Sequence, residues 1–140
     1  MTNRIEDLTT RLAAGQPIEV AWLTNQGTII RHGWFERVGH DAFGAEAVFW
    51  RHAGRSYDVP RSALRYIAPV NPQTIAGSYR PGERVIVRRY SSDYLGVVQR
   101  VARSRLIVQI TLGAGTTRER QRELTVPALD AHRPTPGVLL

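Results

Sequence analysis

The chain has 140 residues, a formal net charge of +7 and no cysteine. The lack of cysteine excludes disulfides, thiol nucleophiles and cysteine-ligated metals. A hydrophobic share of 42% and a charged share of 22% are close to globular norms, so a packed core is expected. The first residues lack the apolar stretch of a signal peptide, and no apolar run approaches the roughly 20 residues that span a bilayer. We therefore expect a protein of the cytoplasm or of a virion, not secreted by a signal peptide and without a membrane partner.

Positive charge is concentrated in the second half of the chain. All 19 basic residues are arginine. Residues 1–70 hold 8 Arg against 7 acids, a net charge of +1, and residues 71–140 hold 11 Arg against 5 acids, a net charge of +6. Eight of the eleven aromatic residues lie in the first half, so the two halves carry different chemistry. Two explanations for the exclusive use of arginine stay open: guanidinium groups suit phosphate and carboxylate, or a GC-rich coding sequence favours arginine codons.

The N-terminal segment, residues 1–16, is predicted to contain a helix over residues 3–14. Ile5, Leu8 and Leu12 form one apolar stripe at three- and four-residue spacing, and Gly15 suits the left-handed position that follows a helix. From Ile18 the apolar period changes to two, which predicts strands. The first domain is expected over residues 17–68, with a helical turn at 60–64 before its last strand. Its five strands are predicted around 18–22, 28–38, 45–51, 56–59 and 65–67.

Residues 69–81 hold three prolines and a glycine, which predicts a linker. The strand pattern then restarts over residues 82–132, the expected second and basic domain. Its strands are predicted at 83–89, 95–102, 105–112 and 118–126, followed by a helical turn at 127–130. Residues 133–140 are expected to form an extended C-terminal tail, because they contain two prolines and a glycine.

Two segments of the first half recur in the second. Gly33-Trp34-Phe35-Glu36-Arg37-Val38 aligns with Gly96-Val97-Val98-Gln99-Arg100-Val101, at an offset of 63 residues. Tyr57-Asp58-Val59-Pro60 aligns with Leu124-Thr125-Val126-Pro127, at an offset of 67. The shared order of the two anchors predicts an internal duplication, with a four-residue insertion in the second copy at the longer loop around 113–117.

Five short strands with a helical turn before the last resemble the SH3-like small barrels, a group that includes Tudor, KOW and chromo-type modules. The residues that carry the resemblance are 55–67 and 122–132, where a strand ends in Val-Pro and a helical turn leads to a short last strand. Residues 81–87 also resemble the first strand of such barrels. The resemblance is to a superfold and not to one family. It implies a mainly β chain with two five-stranded barrels in tandem, and a binding role whose partner the fold does not name.

The residues that could carry catalysis or bind metal are not arranged for either. No two of the histidines His32, His40, His52 and His132 lie at the three- to five-residue spacing of a zinc pair. Ser91-Ser92-Asp93 has no histidine near it in sequence, and Gly113-Ala114-Gly115 lacks the spacing of a phosphate-binding loop. We expect a protein that is not an enzyme, with no catalytic residue, no metal and no cofactor.

The arginines of the second domain are the strongest functional signal. Arginine binds phosphate through charge and forked hydrogen bonds, and nucleobases stack on tyrosine. We expect three connections, at 88–94, 103–105 and 113–120, to converge on one side of the barrel; the alternative is a solvated face that keeps a small domain soluble. The candidate residues for binding DNA or RNA are Arg84, Arg88, Arg89, Tyr90, Tyr94, Arg100, Arg103, Arg105, Arg118 and Arg120, and Arg122 belongs to the same basic set.

Outward aromatic side chains suggest a second function, a protein interface. Adjacent residues of a strand face apart, and Trp22, Phe35 and Phe49 are expected to face the core. Trp34 and Trp50 are then expected to face outward, where they form either the contact between the barrels or a peptide groove. The candidate residues for a protein partner or self-association, for instance in an assembly or virion component, are Trp34, Trp50, Val138, Leu139 and Leu140.

Overall fold

The structure is a computed structural model that describes residues 12–134. The chain divides into two compact units, Met1–Val70 and Asn71–Leu140. Strands account for 61% of the described residues and helices for 7%, in two antiparallel sheets, which confirms a mainly β chain. Within residues 12–134 neither sheet closes on itself. No helix in that range is long and apolar enough to cross a bilayer.

The first unit is a five-stranded sheet in the order β4-β3-β2-β1-β5. Alternation places Ile18 and Val20 of the first strand in the core, while Glu19 between them lies on the opposite face. The core also buries Phe35, Val48, Trp50, Val59 and Ile67. The strands are β1 Pro17–Thr24, β2 Gly27–His40, β3 Glu46–His52, β4 Arg55–Pro60 and β5 Leu64–Pro69.

The expectation that Trp50 faces outward is wrong. In the β2–β3 pairing Trp50 lies directly opposite Phe35, so the two side chains share the core face, and Trp50 is only 1% exposed. Phe49 lies on the other face, where the Arg37 guanidinium sits 4.0 Å from the centre of its ring. Trp34 is partly exposed. The tail residues Val138, Leu139 and Leu140 lie outside the described residues.

The second unit combines one short helix with a four-stranded sheet in the order β6-β7-β8-β9. A fifth strand was expected here; the described residues contain instead a single antiparallel bridge between Ile86 and His132. The core buries side chains from both sheet and helix, among them Val87, Val108 and Ala76. The elements are α1 Pro72–Gly77, β6 Arg84–Arg89, β7 Ser92–Ala102, β8 Arg105–Leu112, β9 Arg120–Pro127 and a 3-10 turn at Ala128–Asp130.

The segment 69–81, expected to be a linker, contains helix α1. Its prolines mark a helix start and not only a break, because proline is tolerated at the first helical position. Pro72 occupies that start, and the Asn71 side chain accepts a hydrogen bond from the backbone N of Gln73 at 2.9 Å. Ala76 and Tyr79 are then buried in the second core. The predicted N-terminal helix lies outside the described residues, except for residues 12–14, which are not helical.

The same irregularities occur at matching positions of the two sheets. The pairing register shifts between Phe35 and Arg37 in β2 and between Val98 and Arg100 in β7, which marks a β-bulge in each strand. Two residues before each bulge stands a glycine, Gly33 or Gly96. A Cβ at either glycine would lie closer than 3.0 Å to an atom of the neighbouring strand. Each strand therefore needs a glycine at this place.

Strand pairing also locates the length differences between the two units. Trp50 and Val108 occupy equivalent positions, because each pairs with the residue that precedes the bulge. Val59 and Val126 occupy equivalent positions in the strand that follows. The second unit is therefore five residues shorter between its second and third strands and nine residues longer between its third and fourth. The four-residue insertion expected from the sequence is the net of these two changes.

Candidate nucleic-acid interface

The connections of the second sheet lie at two opposite ends. Successive hairpins of an antiparallel sheet alternate between its ends. The β6–β7 turn at Tyr90 and Ser91 and the β8–β9 connection, residues 113–119, therefore share one end. The β7–β8 turn at Arg103 lies at the other end, so the expected convergence of three connections is wrong for residues 103–105.

The predicted arginines also divide between the two faces of the sheet. Alternation places Val85 and Val87 of β6 in the core, and hence Arg84 and Arg88 on the outer face. Arg88 is ion-paired there with Asp93, with 3.9 Å between its Nη1 and Oδ1 of Asp93. The register of β7 and β8 puts Arg100 and Arg105 on the outer face as well.

Arg89, Arg120 and Arg122 continue the core face beyond the core. In β6 the core face runs from Val87 to Arg89, and in β9 it runs from Leu124 back to Arg122 and Arg120. Tyr94, paired with Val87, packs against the core and is only partly exposed. We call the surface beyond this core the basic end; it comprises Arg89, Tyr90, Arg118, Arg120 and Arg122.

Tyr90 stands at the tip of the β6–β7 hairpin and is 62% exposed. The Arg89 guanidinium lies 4.7 Å from the centre of its ring, and Nη2 of Arg89 donates a hydrogen bond to the Tyr90 hydroxyl at 3.3 Å. This hydrogen bond and the positive charges of Arg89, Arg122 and Arg120 lower the pKa of Tyr90 below its ordinary value. The tip of the hairpin therefore lies in a positive field to which β9 contributes.

The arginines of the basic end have no acidic partner in the described part of the chain. Among the ion pairs of residues 12–134, none involves Arg89, Arg118, Arg120 or Arg122. The ion-paired arginines of the second unit are Arg88 and Arg133, which pair with Asp93 and Glu83. Glu119 is the acid within the β8–β9 connection, and it leaves the basic end with a net positive charge. A cavity of about 430 Å³ lies beside it, lined by Leu112, Gly113, Arg118 and Arg120.

A polar cluster in the first unit was missed by the sequence interpretation. The Tyr66 hydroxyl donates to Glu19 Oε2 at 2.6 Å, and Nε2 of His32 lies 2.9 Å from Glu19 Oε1. Burial raises the pKa of Glu19, but the hydrogen bonds of Tyr66 and His32 outweigh it and hold the pKa below its ordinary value. The bond to Glu19 raises the pKa of Tyr66 to about 12. The signal that could have indicated this cluster is the β1–β2 hairpin, in which Glu19 lies opposite His32.

Known proteins offer no template for these features: no family model, curated protein or solved structure matches the chain. Within the described part of the chain, no group of three or more histidine or acidic residues is placed to hold a metal ion. The candidate interface therefore depends on its own geometry and charge.

Proposed function

We propose that this chain is a non-catalytic binding protein that contacts nucleic acid through the basic end of its second unit. The observation that carries the proposal is the convergence of Arg89, Arg120 and Arg122, which have no ion pairs within residues 12–134, on one exposed tyrosine, with Arg118 beside Arg120 at the neighbouring cavity. Guanidinium groups bind phosphate by charge and by forked hydrogen bonds, and such contacts position a nucleic acid without reading its sequence. Weak sequence preference is therefore expected.

The number of arginines without ion pairs sets the expected salt dependence. If Arg89, Arg118, Arg120 and Arg122 each neutralise one phosphate of a single strand, log K falls with log salt at a slope of about −2.8. Raising the salt from about 50 to 200 mM then weakens binding about 50-fold. A solvated face with no ligand gives no measurable binding at either salt concentration.

Fluorescence anisotropy with labelled DNA and RNA strands of about 12 nucleotides tests the proposal. Replacing Arg120 and Arg122 by alanine should halve the salt slope. The matched control replaces Arg84 and Arg100 by alanine, which removes the same charge from the outer face of the same sheet. Absence of binding at low salt would refute the proposal, and equal losses in the two double variants would refute its assignment to the basic end.

A protein interface is the second candidate function. The observation that favours it is a pair of exposed apolar residues on the outer face of the second sheet, Leu95 at 47% and Val97 at 39% exposure. Adjoining exposed apolar side chains mark interaction surfaces more often than isolated ones. Light scattering across a concentration series tests self-association. A chain that is monomeric both with and without Leu95→Ser would count against that form of the interface.

We also propose that the two units are duplicated SH3-like folds. The shared bulges, the two confined glycines and the position of the Ile86–His132 bridge support this reading. That bridge occupies the place of the β1–β5 pairing, in which Glu19 lies opposite Ala68. Nuclear Overhauser contacts between the amides of Ile86 and His132 are expected. Their absence would remove the counterpart of the β1–β5 pairing from the second unit and, with it, the common architecture.

A further inference from the structure

A tyrosine at the tip of the β6–β7 hairpin is an unusual choice of residue. Tyr90 and Ser91 both adopt positive φ, at 52° and 63°. Two-residue hairpin turns of this geometry favour glycine, asparagine or aspartate, since a Cβ in the left-handed region is strained. Tyr90 is 62% exposed, so core packing does not explain why an aromatic ring stands there. Residues whose backbone strain is not offset by packing cluster at binding sites and active sites.

The ring of Tyr90 contacts a neighbouring arginine. The Arg89 guanidinium lies over it and donates to its hydroxyl, which favours one orientation of the ring while much of its surface stays exposed. Arg120 and Arg122 are near enough to act on the hydroxyl electrostatically. The cavity of about 430 Å³ beside Arg118 and Arg120 is half open to solvent, so a strand could pass along it without being enclosed. A flat aromatic surface, cations and a cavity thus occur together at one end of one sheet.

From this arrangement we infer that the basic end takes single-stranded nucleic acid, with an unpaired base stacked on Tyr90 and the flanking phosphates on Arg120 and Arg122. The inference rests on the proposed function and names its ligand class. Base–aromatic stacking strengthens binding about 5- to 150-fold per base. A duplex must first unpair and unstack the base, which costs about as much as stacking returns. Tyr90 therefore favours the single strand, whereas the arginines alone would serve either form.

Two strands of equal charge separate stacking from electrostatics. We would titrate the full chain with a labelled oligothymidine of about 12 nucleotides, an abasic strand of the same length, and the corresponding duplex. The thymidine strand is expected to bind about 5- to 150-fold more tightly than the abasic strand. Tyr90→Phe should keep this preference and Tyr90→Ala should remove it, with abasic binding unchanged in both variants.

Tyr90→Gly adds a readout that a purely structural tyrosine would not give. Glycine adopts positive φ without strain, so this variant is expected to raise the urea midpoint followed by far-UV circular dichroism while it loses the preference for thymidine. A lowered midpoint, equal binding of the thymidine and abasic strands, or tighter binding of the duplex would each overturn the inference. Salt-dependent binding of the abasic strand would in those cases leave the proposed function standing, whereas no binding of any strand removes both.

Discussion

Gly33→Ala tests whether close strand contact at the bulge holds the first sheet together. A Cβ at this position would lie closer than 3.0 Å to the carbonyl oxygen of Arg51 and 2.9 Å from Cε3 of Trp50. The first neighbour is backbone and cannot rotate away, and the second belongs to a side chain that is 1% exposed. The β3 strand must therefore move away from β2 and give up part of its pairing.

The expected cost lies at the upper end of the range for overpacked cores, about 3 kcal/mol. With an m value of about 1 kcal/mol per molar urea, the unfolding midpoint falls by about 3 M. All three tryptophans, Trp22, Trp34 and Trp50, belong to the first unit. Their fluorescence consequently follows the unfolding of that unit alone, and it is the appropriate signal for the variant.

Gly77→Ala is the control, since a Cβ at this end of α1 meets nothing within 4 Å. Alanine is the better helix former by up to about 1 kcal/mol, so this variant should be neutral or slightly stabilising. Gly77 belongs to the second unit, so circular dichroism follows the control. If Gly33→Ala leaves the tryptophan midpoint unchanged, the strands do not approach as closely as described, and the reasoning is refuted.

Further predictions concern hydrogen-bonded charges in both units. Tyr66 has a pKa raised to about 12, so the stability from its bond to Glu19 is complete below about pH 10 and is lost as pH rises toward 12; Tyr66→Phe should abolish this alkaline loss in urea titrations. Glu19 has a lowered pKa, so its contribution, about 1 kcal/mol, is present at neutral pH and lost as pH falls through the acid range. Glu19→Gln should remove that acid dependence, and an unchanged profile would refute the role of the carboxylate. Arg133 pairs with Glu83 and covers the Tyr79 ring at 4.1 Å, so Arg133→Ala should cost about 1 kcal/mol by circular dichroism, whereas the unpaired Arg84→Ala should cost nearly nothing.

Local chemistry was sufficient to predict most of the strands. Period-two alternation and turn residues are properties of neighbouring positions, and the predicted strands of both units match the observed β1 to β9 to within a few residues. The glycines of the bulged strands were visible too, since Gly33 and Gly96 headed the repeated segment. Long-range pairing was needed for the rest. Trp50 and Phe49 are both large aromatic residues, and only the pairing of Trp50 with Phe35 decides which one enters the core.

The sequence alone determined that the second half is basic, because it contains eleven arginines. It did not determine how these arginines divide between the faces and ends of the sheet. The alternation of side chains along the strands and the bulge in β7 place Arg84 and Arg105 on the outer face. The alternation of hairpin ends places Arg103 at the far end and Arg120 at the same end as Tyr90. Each of these depends on which residue pairs with which across the sheet. A one-residue change of register would move the same charges to the opposite face, because the side chains of a strand alternate.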